Sequence, residues 1–193
     1  SLGTQYYYRD FFAEGAEAYV APNVTDQFAL FTLQEFGSGP FQLEAAARYE
    51  KTEVESQPLG LDRNFNAFSG AVGFIYEAEN DLRAGINLSH AERAPSAEEL
   101  FSNGPHIATQ AFEIGNPDLK RERALGVEGF VRGRVGKAEF SFAVFQNWFD
   151  NYIYLTATGE EEDDLPVFIY LQDDADYFGI EGEISYPFYD DGN

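Results

Sequence analysis

Phe41-Gln42-Leu43-Glu44-Ala45-Ala46-Ala47-Arg48-Tyr49-Glu50 is the stretch that decides the fold. Phe41, Leu43, Ala45, Ala47 and Tyr49 fall on one side of a period of two, with Gln42, Glu44, Arg48 and Glu50 on the other. Successive side chains of a β-strand point to opposite faces, so this is a strand with one dry face and one wet face. A helix would bring Phe41, Glu44 and Arg48 onto overlapping faces and leave no clean apolar stripe.

The same alternation spreads outward. In Asp81 to His90, Leu82, Ala84, Ile86 and Leu88 form the dry side, and Arg83 and Asn87 the wet one. Toward the C-terminus Phe178, Ile180, Gly182, Ile184, Tyr186 and Phe188 alternate with Gly179, Glu181, Glu183 and Ser185. Residues 28–36, 68–77, 127–135 and 139–154 are strand-like with less regular patterning. The chain has no apolar run long enough for a transmembrane helix, whereas about eight alternating segments fit strands that show one face to lipid and one to a lumen. The fold class expected is therefore all-β: antiparallel transmembrane β-barrel strands forming a partial barrel. Leu82, Ala84, Ile86 and Leu88 are assigned to lipid, and Arg83, Asn87 and Glu128 to the lumen, because polar side chains need water or partners.

Connections alternate in length. Gly37-Ser38-Gly39-Pro40, Glu79-Asn80-Asp81 and Arg134-Val135-Gly136-Lys137 have turn chemistry, whereas residues 52–66, 91–124 and 156–166 read as long loops. Outer-membrane barrels have short periplasmic turns and long extracellular loops, which orients the chain. Aromatic residues gather at Tyr6, Tyr7, Tyr8, Phe11 and Phe12, at Trp148, Phe149, Tyr152 and Tyr154, and at Tyr186, Phe188 and Tyr189. These fit interfacial girdles. The competing account is aromatic cross-strand pairing in a soluble sheet.

Composition narrows the function. Asp and Glu number 34 against 12 Lys and Arg, a net charge of -22, and 17% of residues are aromatic. An acidic disordered segment would be poor in aromatics, and a nucleic-acid binder would need more cations. There is no Cys, so neither disulfides nor thiolate metal sites are available. With two histidines and no persuasive nucleophile–base arrangement, the sequence does not read as an enzyme.

The order of motifs carries a resemblance. Glu92-Arg93-Ala94-Pro95-Ser96-Ala97-Glu98-Glu99-Leu100-Phe101 is followed by Phe112-Glu113-Ile114-Gly115-Asn116-Pro117-Asp118-Leu119-Lys120-Arg121-Glu122, then by a strand with Glu128-Gly129. This resembles the barrel region of TonB-dependent outer-membrane receptors, with Arg93, Ala94, Pro95, Glu99, Leu100, Asn116, Pro117, Leu119, Glu122, Glu128 and Gly129 as its motif residues. Arg121 stands where that family more often has proline. The resemblance implies that residues 1–193 are part of one barrel domain of a bacterial outer-membrane receptor. No plug domain is recognised, so the chain is expected to be a fragment of a larger barrel. It further implies active import of a scarce nutrient, coupled to TonB through a plug region. Outer-membrane lipid and lipopolysaccharide would be partners, as would a metal ion or metal chelate, and nucleic acid would not.

For the cargo, resemblance to a zinc- and haem-associated subgroup favours zinc, with no intrinsic cofactor. His106 offers an imidazole in the longest connection. Glu160, Glu161, Glu162, Asp163, Asp164, Asp173, Asp174 and Asp176 offer carboxylates that folding could bring to it, and His90 is a weaker candidate. A solvated acidic loop, or divalent-ion bridging to lipopolysaccharide, accounts for the carboxylates equally well. A ferric-siderophore or haem receptor is the alternative cargo reading, with Arg93, Arg121 and Arg123 as chelate contacts. A structural or adhesive barrel without transport is the alternative of a different class.

Overall fold

Period-two patterning becomes a meander of long strands. The structure, a computed structural model, describes residues 1–15, 18–78 and 81–188. Eight long strands follow the chain: β1 (Leu2–Phe11), β2 (Asn23–Ser38), β3 (Phe41–Ser56), β4 (Leu61–Glu77), β5 (Arg83–Arg93), then β8 (Glu122–Val135), β9 (Ala138–Glu162) and β10 (Leu165–Ser185). Between β5 and β8 lie a short helix α1 (Ala97–Phe101) and two short strands, β6 (Asn103–His106) and β7 (Ala111–Ile114). All belong to one open sheet of order β1-β2-β3-β4-β5-β8-β9-β10-β7-β6. The long strands pair antiparallel with their sequence neighbours, and only β7 joins β10 in parallel. The expected partial barrel wall is thus present, with two extra strands inside the longest connection.

Three tight turns, β2–β3, β4–β5 and β8–β9, lie at one end. Gly39 and Gly136 take positive φ (58° and 62°) in the β2–β3 and β8–β9 turns, a conformation that costs glycine little. The β4–β5 turn includes Asp81 at φ 60°, while Glu79 and Asn80 lie outside the described residues, as does Tyr189 of the third aromatic group.

The opposite end departs from the sequence reading. Residues 52–66 and 156–166 are not loops: β3 continues to Ser56 and β4 resumes at Leu61, while β9 runs to Glu162 and β10 starts at Leu165. Asp163 and Asp164, both at positive φ, make the two-residue tip of the second hairpin. The cause is solvation. Beyond a hydrocarbon layer an outward strand face is polar, as with Lys51, Glu53 and Glu55, so hydropathy alternation fades while backbone pairing persists. The C-terminal pattern overshoots in the other direction, since β10 ends at Ser185 and Tyr186 and Phe188 meet edge-on beyond it.

The alternating faces are as assigned. Ile86 and Leu88 are exposed on the apolar face (55% and 51%). On the polar face Asn87 donates to Glu128 (3.2 Å), and Arg83 pairs with Glu77 (2.8 Å). Most of the buried core lies instead at the end opposite the β2–β3, β4–β5 and β8–β9 turns. There Val20, Val54, Phe65, Ala97, Leu100, Phe101, Leu119 and Ile153 cluster, bringing together five separate parts of the chain.

Candidate functional site

The connection from Ala94 to Arg121 folds into a cap, and its own motif residues hold it. Ser96 caps α1 by accepting from the Glu99 amide (3.2 Å), and Glu99 accepts from the Ser96 amide (2.8 Å), a reciprocal capping box. The Arg93 guanidinium then forks between two carboxylates. It reaches Glu99 at 2.9 and 3.0 Å and Glu122 at 3.1 Å through two nitrogens, so the strand residues that flank the connection are tied together. Burial works against the Arg93 charge, but the bonds to Glu99 and Glu122 outweigh it and hold its pKa above the ordinary value. Glu122 also accepts from the Ile153 amide (2.9 Å).

Asn116, which opens Asn-Pro-Asp-Leu, donates its amide to the Glu99 carbonyl (2.8 Å) and accepts from the Asp118 amide (2.9 Å). Pro95, Leu100 and Leu119 are fully buried. At Gly115 an added Cβ would lie 2.7–2.8 Å from the backbone at Leu100, Phe101 and Ser102, so only glycine allows the approach.

This clamp presents His106. β6 and β7 pair with His106 opposite Ala111, and the loop between them returns through Gln110 at φ 53°. His106 Nδ1 lies 2.9 Å from Glu113 Oε1, and its ring stacks on Tyr19 with centroids 4.1 Å apart and planes 6° from parallel. Tyr19 is drawn in because the Asn103 amide donates to its carbonyl (2.6 Å), and because Gly104 leaves no Cβ to block it.

Glu113 is only 2% exposed, yet its carboxylate has three donors: the His106 ring, Thr109 Oγ1 (2.9 Å) and the Tyr170 hydroxyl (3.2 Å). A buried carboxylate so bonded is tolerated where a bare one would not be. Burial, then the negative charge of Glu113, raise the pKa values of Tyr19 and Tyr170, which therefore remain neutral phenols. The contact between Nδ1 and Glu113 fixes the ring's orientation and turns Nε2 away from the carboxylate, the usual arrangement of a metal-binding imidazole.

The acidic candidates do not gather around it. Glu160, Glu161 and Glu162 end β9, and Asp163 and Asp164 form the hairpin tip. Asp173 and Asp174 lie at a β10 irregularity roughly 30 Å further along the strand, with Asp176 beside them. His90 faces Glu92 at 3.6 Å on the apolar face of β5. Among the described residues no three His, Asp or Glu side chains assemble into a metal-binding group. What sequence reasoning missed was the set around His106, namely Glu113, Tyr19, Tyr170 and Thr109. Only the apolar setting of Glu113, between Phe112 and Ile114, hinted at a buried charge.

Comparison with known proteins places this geometry. The TonB dependent receptor-like, beta-barrel family model matches residues 1–193. Two relatives are the hemoglobin-haptoglobin utilization protein B of Neisseria meningitidis serogroup A, 27% identical over 142 residues, and that of serogroup C, 26% identical over 141. Each match takes in 66% of this chain and 17% of the relative, so the chain spans about a sixth of the length of these proteins.

Among solved structures, the copper transporter OprC superposes with a TM-score of 0.72 at 20% identity, covering 86% of this chain and 27% of that one. A double mutant of the Serratia marcescens hemophore receptor HasR, in complex with its hemophore HasA and heme, gives 0.74 at 16% identity, covering 96% and 36%. At these identities the likeness is one of fold.

Proposed function

The chain belongs to the TonB-dependent receptor β-barrel family, and on that premise we propose that it forms part of the wall of an importer whose cargo is haem, taken at His106. The short-turn end is then periplasmic and the cap extracellular. The apolar face of Ile86 and Leu88 meets lipid, and the complete receptor couples to TonB through a plug region.

The observation that carries the cargo reading is the His106–Glu113 pair: one oriented imidazole, part-exposed, backed by a buried carboxylate. Haem iron asks the protein for one or two axial ligands, and histidine is a common one. The Tyr19 ring stacked on it adds an aromatic surface suited to a flat macrocycle. The named role of the Neisseria relatives in haemoglobin–haptoglobin use agrees.

Bare zinc, the cargo favoured by sequence, fits less well. It prefers about four N, S or O ligands, and the acidic candidates stand apart from His106. Of the arginines that a siderophore reading would use, Arg93 is held by Glu99 and Glu122 and Arg121 by Glu92, whereas Arg123 is exposed with Asp150 at 3.4 Å, so that alternative stands as the second reading. Family membership favours transport over a purely structural or adhesive barrel.

The test is titration of the complete receptor with haem, zinc and a ferric siderophore in parallel, followed by absorption spectroscopy. Haem should saturate with a histidine-ligated spectrum, and His106→Ala should weaken its affinity by roughly 10- to 100-fold. An unchanged spectrum and affinity in His106→Ala would remove His106 from the site. Preference for zinc would overturn the cargo.

A further inference from the structure

Three carboxylates act on the two tyrosines of the His106 site: Glu98 on Tyr19, Glu99 on Tyr170, and Glu113 on both. Two of them are matched by guanidinium groups, since Glu98 accepts from Arg9 at 2.8 Å and Glu99 from Arg93 at 2.9 and 3.0 Å. Glu113 differs. Its donors are the His106 ring and the Thr109 and Tyr170 hydroxyls, so dipoles stabilise its charge and no arginine or lysine among those donors cancels it.

That charge bears on one atom with chemistry to do. A ring bound to iron through Nε2 carries its proton on Nδ1, and Nδ1 lies 2.9 Å from Glu113 Oε1. A carboxylate placed there draws the proton toward itself and makes Nε2 a stronger, more anionic donor. Ferric haem iron carries one more positive charge than ferrous iron, so a stronger donor in front of a buried negative charge stabilises the ferric form more. The hydroxyls set a limit. Thr109 shares Oε1 with the ring and Tyr170 holds Oε2, so each takes up part of the charge that the ring would otherwise feel.

We infer that the site discriminates oxidation state, taking ferric haem in preference to ferrous haem, with Glu113 as the positioning residue that tunes His106 and with Thr109 and Tyr170 setting how far. The inference rests on the haem reading above and deepens it by naming the form of the cargo.

The test is a spectroelectrochemical titration of the complete haem-loaded receptor, in which the electrode supplies the one electron that converts ferric to ferrous iron. The midpoint potential of haem in the native receptor should lie below that of free haem in the same detergent. Glu113→Gln keeps the shape of the side chain and removes its charge. It should weaken the preference for ferric over ferrous haem about 10-fold, which raises the midpoint by about 59 mV. Tyr170→Phe should move the midpoint the other way by a smaller amount, because the carboxylate then gives more of its charge to the ring. Opposite signs separate tuning from a structural role, since loosening of the site would move both variants alike.

A native midpoint at or above that of free haem overturns the inference. So does an unchanged midpoint in Glu113→Gln, or a shift of the same sign in both variants, and in each of these cases haem stays at His106. A native receptor that binds no haem, or a haem spectrum that survives His106→Ala, sinks the cargo reading first and this inference with it.

Discussion

The wall and the cap solve the burial problem in opposite ways. Between β1 and β10 the wall keeps its large apolar side chains exposed, Phe36, Phe74, Ile86 and Ile180 among them, and is held by backbone ladders and a solvent that welcomes apolar surface. The cap packs Leu100, Phe101 and Leu119 to 2% exposure or less, and buries Glu113 with three donors. The wall can therefore vary widely in side-chain detail while its alternation lasts. The cap depends on particular pairs of residues brought together from distant parts of the chain.

Removing a cap residue with several partners should have the largest effect. Glu113→Ala leaves His106, Thr109 and Tyr170 without their shared acceptor inside a buried site, at a cost of about 3 kcal/mol. The loss should stay local. Amide exchange should accelerate across β6 and β7 with β2 to β4 unchanged, and the distinction between the two regions fails if protection falls evenly along the whole sheet.

The wall should respond to face rather than to partner. Ile86→Arg places a charge on the apolar face and should cost about 2 kcal/mol in lipid, whereas Asn87→Ser on the polar face should cost little. Spin labels at Ile86 and Asn87 in the membrane-inserted receptor give a second readout, with lipid access at the first and water access at the second. Equal accessibility would break the assignment of faces.

This difference also explains what was legible in the sequence. Alternation through Phe41 to Glu50 and Leu82 to Leu88 revealed the wall because each strand carries its own pattern. The hairpins of β3–β4 and β9–β10 were read as loops because polar outward residues blur the alternation: Lys51, Glu53 and Glu55 face water although Val54 is buried behind them, and Glu160, Glu161 and Glu162 look like a solvated loop and are strand. The motif from Arg93 to Glu122 was recognisable, but its physical task, a guanidinium fork closing a 28-residue connection (94–121), emerges only from the distances. His106 was identifiable as a rare residue type. Its partners were not: Tyr19 and Tyr170 are far from it in sequence, and Glu113, seven residues on, meets it only because 103–114 folds as a hairpin that the sequence reading had as loop.

The smallest effect should come from the Arg9–Glu98 pair, where wall and cap meet. Arg9 on β1 donates to Glu98 on α1 at 2.8 Å, the one ion pair linking the first strand to the helix among the described residues. Burial pushes the Glu98 carboxyl up, but the Arg9 bond and the local backbone bond outweigh it, so its pKa lies below the usual carboxylate value. A folded pKa below the unfolded one means that the pair's contribution is present above the unfolded value and is lost as pH falls through the folded one.

Both side chains are about a third exposed, so solvent screening keeps that contribution below about 1 kcal/mol. Glu98→Gln should therefore raise exchange at α1 slightly at neutral pH and remove its increase on acidification, with strand protection untouched. If the acid-induced loosening of α1 persists in Glu98→Gln, another carboxylate controls it. Glu99 and Glu122 on Arg93 would then be the joint through which acid separates the cap from the wall.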